Sequence, residues 1–174
     1  RGIMLPFVSP TTNSDGVQIG HEVTSNEEIR KAMNLAVHRQ ELVDTVMNGE
    51  GTPAFSSADR LPWFHEENIM NDNDKVAAEE LLLSNGWSKG DDGIFQKESL
   101  RASMMLYYPA GDQLRQSLAL LVAQQLKEVG IEIVPKGASW NDIEEVMHKE
   151  PVLMGWGSHN PIELFNLYHS GMAG

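Results

Sequence analysis

The residues best suited to chemistry in this sequence stand together at Trp156, Gly157, Ser158, His159 and Asn160. They follow Val152-Leu153-Met154, an apolar run of buried-strand length, and they lead into Pro161. Gly157, Ser158, His159, Asn160 and Pro161 are loop-forming residues, several of them able to hydrogen-bond, flanked by the indole of Trp156. Ligands of open α/β sheets lie beyond the carboxyl ends of strands, so a strand that empties into such a loop is a candidate binding position. The plain alternative is a surface turn after a core strand.

Catalytic patterns are poor. Side chains adjacent on an extended chain point to opposite sides, so Ser158 and His159 do not make a nucleophile and base pair, and the segment departs from the G-x-S-x-G elbow. A serine hydrolase using Ser158 is therefore a remote reading, and the chain is expected not to be an enzyme. No phosphate loop and no dinucleotide-binding glycine pattern occurs, and no cofactor is expected. His21, His38, His65, His148, His159 and His169 lack the spacing that places two imidazoles on one helical face, and each reads first as a surface or hydrogen-bonded histidine. The acid-rich stretch from Glu66 to Asp92 lacks the regular oxygen spacing of a hard-cation loop and reads as a solvated face.

Composition narrows the partners. The 174 residues include 25 acidic and 13 basic side chains, for a formal net charge of −12. That excess repels phosphate backbones, so nucleic-acid binding is not expected. No run approaches the ~20 apolar residues of a membrane-spanning helix. Cysteine is absent, which removes disulfides, thiolate metal sites and cysteine nucleophiles together. The length suits one domain or a large lobe of something bigger. A start at Arg1 and an end at Gly171-Met172-Ala173-Gly174 lead to the expectation of an excised fragment.

The elements that must position the loop are clearest in the second half. Ala102 to Tyr108 reads as a strand, and Asp112 to Val129 as a helix through Leu114, Leu118, Leu121, Val122, Leu126 and Val129, closed by Gly130. Ile131 to Val134 reads as a second strand. Ser139 with Asp142 starts a helix whose Trp140, Ile143, Val146 and Met147 share one face, and the strand from Val152 follows. Strand, helix, strand, helix, strand predicts right-handed parallel crossovers and a doubly wound α/β sheet, with the Met, Leu and Trp positions in its core.

The first half is more irregular. Gly2 to Val8 is an extended apolar segment that Pro6 confines to an edge or a crossing, and Thr11 to Gly20 is a polar loop. Ser25 and Glu28 have the form of a capping box before a helix with Ile29, Ala32, Met33 and Ala36 on one face. A second helix carries Leu42, Val43, Val46 and Met47 up to Asn48-Gly49. Gly51 to Asn71 is a long irregular loop, of the kind that is functional or mobile. Asp72 is the expected cap of a helix through Val76, Ala77, Glu80, Leu81 and Leu83 to Gly86, with Trp87 packed past its end. Lys89 to Gly93 is a turn, and Ile94-Phe95 leads a short strand.

Several segments, in order, resemble the peptide/nickel class (family 5) of extracytoplasmic solute-binding proteins that serve ABC importers. Ile29 to Leu42 resembles that family's "vRqAlnyAiDRqalv" helix pair, and Gly49 to Ala54 its "G.GtpA" loop. Asp72 to Trp87 is similar to "yDpeKAkaLLaeAGw", Gln124 to Ile131 to "qqlkeiGI", and Gly155-Trp156-Gly157 to the strand-end "GWgadypdp". The resemblance implies a periplasmic-binding-protein-like (type II) α/β lobe with a mostly parallel sheet flanked by helices. Residues 1–174 would form most of a C-terminal lobe, which closes on its ligand with a missing N-terminal lobe of the same chain. It further implies a peptide, nickel or other metal-chelate ligand, an ABC transporter membrane permease as partner, and a place outside the cytoplasm, in the periplasm or lipid-anchored. Gly2 to Val8 would lie near the inter-lobe crossing, and Trp156 to Asn160 would face the cleft.

Two positions depart from the family pattern. Peptide-binding members carry an aspartate three residues past the tryptophan, where a carboxylate pairs with the peptide's amino terminus. Here that place is His159, which suits a metal chelate or an anionic ligand group better and makes His159 the leading candidate metal ligand. The aspartate of the helix pair is replaced by His38, a change read as structural, with a lost cap worth about 1 kcal/mol. The same lobe also occurs as the sensing domain of transcriptional regulators, the alternative function.

Overall fold

The alternation of apolar strands and amphipathic helices in the second half supplies three strands of a four-stranded sheet, and Gly2–Met4 supplies the fourth. The computed structural model describes residues 1–155, 160, 162, 165 and 169. Its elements run β1 (Gly2–Met4), β2 (Thr11–Thr12), β3 (Gln18–Ile19), α1 (Glu27–Ala36), α2 (Arg39–Val46), α3 (Lys75–Ser84), β4 (Ser88–Lys89), β5 (Phe95–Lys97), β6 (Leu100–Arg101), β7 (Ser103–Pro109), α4 (Gln113–Glu128), β8 (Glu132–Ala138), α5 (Trp140–Val146) and β9 (Val152–Met154). The long loop between α2 and α3 is irregular as expected, apart from a 3-10 turn at Glu66–Asn68.

The sheet order is β1-β9-β7-β8. β7 runs parallel to β8, from Ser103 beside Glu132 to Pro109 beside Ala138, and parallel to β9 at Tyr107 and Val152. β1 closes the other edge antiparallel to β9. The chain thus steps from β7 to β8 on one side and returns to β9 on the other. Alternate side chains of β7 enter two separate cores. Met104, Leu106 and Tyr108 pack with Leu118, Val122 and Leu126 of α4, whereas Met105 and Tyr107 pack with Ile143 of α5 and Val152. The two helices therefore cover opposite faces, which is the doubly wound arrangement. β8 extends beyond the expected Val134 to Ala138, and its edge position tolerates Pro135.

Ile29, Ala32, Met33 and Ala36 of α1 are all buried, as their spacing predicts. They share a core with Ala78 and Leu82 of α3 and with Trp87, whose indole Nε1–H donates to Glu28 Oε1 at 3.0 Å. Four local expectations are corrected. Asn26, not Ser25, stands at the N-cap of α1, and the Ser25 hydroxyl donates to the Glu22 carbonyl instead. Asp74, not Asp72, caps α3, accepting the Ala77 N–H at 2.9 Å. The face α3 buries is that of Ala78 and Leu82, while Val76 and Leu83 are exposed. The polar stretch from Thr11 contains the β2–β3 ladder, and the expected strand at Ile94-Phe95 is β5, flanked by β4 and β6 in a further antiparallel sheet, because two-residue polar strands leave no apolar period to read.

Gly130 is required at the end of α4. Its φ is +85°, and a Cβ there would lie 2.6 Å from the Gly93 carbonyl oxygen. That contact seats the small sheet against the large one, with Phe95 N–H donating to the Gly130 carbonyl at 2.8 Å.

Candidate functional site

The strand register brings three carboxyl ends to one rim. Pro109 of β7 is abreast of Ala138 of β8, and the pairing of Tyr107 with Val152 carries β9 to the same level at Met154. Because Gly2 pairs with Met154 in the antiparallel edge, Arg1 stands beside Gly155. A Cβ on Gly155 would meet Arg1 Cδ at 2.9 Å, Arg115 Nη2 at 3.0 Å and Arg1 Nη1 at 3.1 Å. Two guanidinium groups thus converge on the residue from which the candidate loop departs.

α4 holds Arg115 in that position. Asp112 is its N-cap, accepting the Arg115 N–H at 2.9 Å, and its carboxylate also pairs with Arg115 Nη1. The bond from the Arg115 N–H and the guanidinium outweigh partial burial and hold the Asp112 carboxyl below its ordinary pKa. Arg115 Nε is shut off from water with no hydrogen-bond partner among the described residues. In a chain of net charge −12, the Arg1 and Arg115 guanidiniums and the Asp112 carboxylate stand together at this point of the rim. Beyond β8, Ser139 and Asp142 form the expected capping box of α5. Trp140, expected in the core with Ile143, is 46% exposed, because the first residue of α5 lies past the sheet end, where no described element covers it.

Of the expected ligand-binding residues, Trp156, Gly157, Ser158 and His159 lie outside the described residues. Asn160 is exposed, and its Oδ1 accepts the Ile162 N–H at 3.0 Å, a local turn-forming bond. The structure adds Arg115, Arg1 and Trp140 to the same rim. Arg115 had a faint signal in its spacing of three from the capping Asp112. Arg1 had none, since only the β1–β9 pairing brings it there. Among the described residues, no three His, Asp or Glu side chains come together as a metal set.

The opposite rim, at the amino ends of β7 and β9, carries a shallow groove whose lining includes Pro10, His21, Leu100, Arg101, Lys149 and Glu150. Its polar groups hold the fold together. His21 Nδ1 accepts the N–H groups of Val23 and Thr24 at 3.1 and 3.2 Å, and Nε2 stands 3.8 Å from Glu150. Burial lowers the His21 pKa and raises that of Glu150. The Ser103 hydroxyl donates to Glu132 at 2.6 Å, and Arg101 bridges Glu132 and Asp92.

Residues 5–170 match the family model of the bacterial extracellular solute-binding proteins, family 5 Middle. Protein XP55 of Streptomyces lividans is 40% identical over 156 residues, covering 88% of this chain and 29% of that protein. The oligopeptide-binding protein AppA of Bacillus subtilis is 27% identical over 160 residues, covering 86% and 29%. The structure of AppA with a nonapeptide superposes with a TM-score of 0.75 at 27% identity, over 87% of this chain and 32% of that one. NikZ of Campylobacter jejuni, in complex with Ni(L-His), gives 0.76 at 26% identity over 98% and 35%. The chain thus spans about a third or less of the length of these relatives. Among the described residues, no helix is long and apolar enough to cross a membrane.

Proposed function

The chain belongs to the bacterial extracellular solute-binding proteins of family 5, with the type II periplasmic-binding-protein fold, and from that premise we propose that it captures a peptide or a metal chelate for an ABC importer. In this reading residues 1–174 are most of one lobe of a two-lobed protein. The cleft lies at the rim of Pro109, Ala138 and Met154, and a second lobe of the same chain closes over it. Trp156 supplies an apolar wall, the backbone at Gly157 and Ser158 donates hydrogen bonds, and His159 with Asn160 tunes selectivity. Trp140 adds a second aromatic surface at the end of β8. The loaded protein delivers its solute to the membrane permease outside the cytoplasm.

One observation supports this most: the candidate loop leaves the carboxyl end of β9 on the doubly wound sheet, where such folds bind ligands. AppA is named for oligopeptides and NikZ is complexed with Ni(L-His), so both ligand classes stay within the proposal. His159, in place of the aspartate that would pair with a peptide's amino terminus, favours the chelate.

Native mass spectrometry with elemental analysis, on the full-length protein purified without added ligand, tests the reading. Retained nickel or another metal chelate supports His159 as a ligand. A co-purified peptide mixture supports the peptide class and withdraws the metal preference. His159→Ala is expected to change affinity or ligand preference, and unchanged binding removes His159 from the site.

A further inference from the structure

We propose that Asn48 is a site of spontaneous covalent modification: in the folded protein its side chain closes on the backbone nitrogen of Gly49 to a succinimide, which water opens to aspartate or isoaspartate. The sequence holds two Asn-Gly pairs, Asn48-Gly49 and Asn85-Gly86. Glycine, without a Cβ, hinders the attacking nitrogen least, so by sequence the two pairs are equivalent. The fold separates them.

Ring closure needs a carboxamide free to swing and a glycine nitrogen released from its hydrogen bond. Asn48 meets the first condition. It is exposed, lies just past the C-cap residue Met47 of α2 with φ at 52°, and its side chain makes no hydrogen bond among the described residues. The Gly49 N–H donates to the Val43 carbonyl at 3.1 Å, a bond of the last turn of a helix, where fraying costs least. Gly49, Glu50, Gly51 and Thr52 are all exposed, and a Cβ on Gly49 would meet nothing within 4 Å. This turn therefore opens without unpacking a core residue. At Asn85 the side-chain Nδ2 donates to the Leu81 carbonyl at 2.8 Å, which turns the carboxamide back over α3. The Gly86 N–H donates to the Leu83 carbonyl at 3.1 Å, and the next residue, Trp87, is 2% exposed with its own N–H on the Leu82 carbonyl. Releasing the Gly86 nitrogen means loosening Trp87 from the core and from Glu28.

The chemistry balances with water as the sole co-reactant. The Gly49 nitrogen bonds to Asn48 Cγ, the Cγ–Nδ2 bond breaks, and ammonia leaves with the proton that the Gly49 amide gives up. Water then adds to one imide carbonyl. Breaking the bond from Cγ to the Gly49 nitrogen gives aspartate, and breaking the bond from the Asn48 carbonyl carbon to that nitrogen gives isoaspartate. Nothing is oxidised or reduced. Either product places a carboxylate at the carboxyl end of α2, where the helix dipole is already negative and Glu50 lies two residues on. Isoaspartate also adds a methylene to the main chain, which disturbs the bonds from Gly49 N–H to Val43 and from Glu50 N–H to Met47. The modification thus loosens the turn from which the Gly49 to Ala54 loop departs.

The test is a time course on the full-length protein held at mildly alkaline pH, once folded and once unfolded in urea. Peptide mapping by mass spectrometry measures the conversion at Asn48 and at Asn85, and isoaspartyl methyltransferase labelling counts the isoaspartate product. In the folded protein Asn48 is expected to convert at least about tenfold faster than Asn85, the ratio that a difference of about 1.4 kcal/mol in local opening produces. In urea the two rates are expected to converge, with Asn85 gaining far more than Asn48. Equal rates in the folded protein, faster conversion at Asn85, or no conversion at Asn48 overturns the assignment. So does a preference for Asn48 that persists undiminished in urea, because it would then come from the neighbouring sequence and not from the fold.

Discussion

Asp72 Oδ2 accepts the backbone N–H of Arg39 at 3.0 Å, so the first turn of α2 is capped by a carboxylate from a distant loop. Its own N-cap residue, His38, makes no side-chain capping bond. The same Asp72 oxygen lies 3.5 Å from the Arg39 guanidinium. Gln125 of α4 adds a second anchor, accepting the His38 N–H at 3.1 Å and donating to Glu41 at 2.8 Å. A carboxylate from position 72 thus serves the turn whose own N-cap position holds His38.

This long-range cap has a thermodynamic signature. Asp72→Ala is expected to lower stability by about 1–2 kcal/mol, the value of a helix cap together with a partly buried ion pair. His38→Asp should recover more stability in the Asp72→Ala background than it adds to the native chain. Urea unfolding midpoints of the four proteins measure the coupling, and additive effects would show that the two carboxylates do not serve the same turn.

What was legible in the sequence follows from how far each signal reaches along the chain. The β7–α4–β8–α5–β9 order could be read because every element carries its own period, with Leu118, Val122 and Leu126 on one stripe and Asp112 and Gly130 marking the ends. Caps were misplaced by one or two residues at Ser25 and Asp72, since oxygen-bearing side chains recur there and only the packed turn selects Asn26 and Asp74. β4 and β6 are two residues each and depend on pairing, with Glu98 at φ 55° turning the chain between β5 and β6. Residue type places Trp140 in the core, although its position at the start of α5 leaves it beyond the sheet. Arg115 stands three residues from Asp112, the spacing of any helix-surface ion pair. Its meeting with Arg1 needs a register set by residues at the two ends of the chain, which no local pattern encodes.

Trp140 and Ile143 lie three residues apart on α5 and should separate function from stability. Ile143 is fully buried, and Ile143→Ala is expected to cost about 2–5 kcal/mol in urea unfolding. Trp140→Ala should leave the unfolding midpoint within about 0.5 kcal/mol, as expected of an exposed side chain, yet weaken binding of the solute that co-purifies with the protein. A large stability loss for Trp140→Ala, or unaltered binding, would remove Trp140 from the cleft.

Gly155→Ala tests the rim without removing any charge. The added Cβ would fall within about 3 Å of the Arg1 and Arg115 side chains, both of which are flexible enough to move aside. Stability should therefore change little, while the altered start of the candidate loop should lower affinity for the solute that co-purifies with the protein. Calorimetric binding with a parallel thermal melt distinguishes this from a general packing defect, in which both quantities fall together.

His21 gives the fold a dependence on acid. Its Nδ1 must be unprotonated to accept the N–H groups of Val23 and Thr24 ahead of α1, and burial lowers its pKa below the ordinary 6.5. Between that folded value and 6.5 the unfolded chain binds more protons, so stability is present above about pH 6.5 and falls as the pH drops through this window. The groups facing the imidazole do not reverse the sign. Glu22 opposes the lowering of the His21 pKa without cancelling it. Glu150, 3.8 Å from Nε2, has its own pKa raised by burial above 4.5, so its contribution grows as it takes up a proton on acidification. The two groups therefore work against each other. Urea midpoints measured from pH 8 to pH 5.5 should decline below about pH 6.5 in the native protein and stay nearly flat in His21→Asn, whose carbonyl oxygen can accept the same N–H groups without titrating. An equal decline in His21→Asn would place the acid sensitivity elsewhere in the fold.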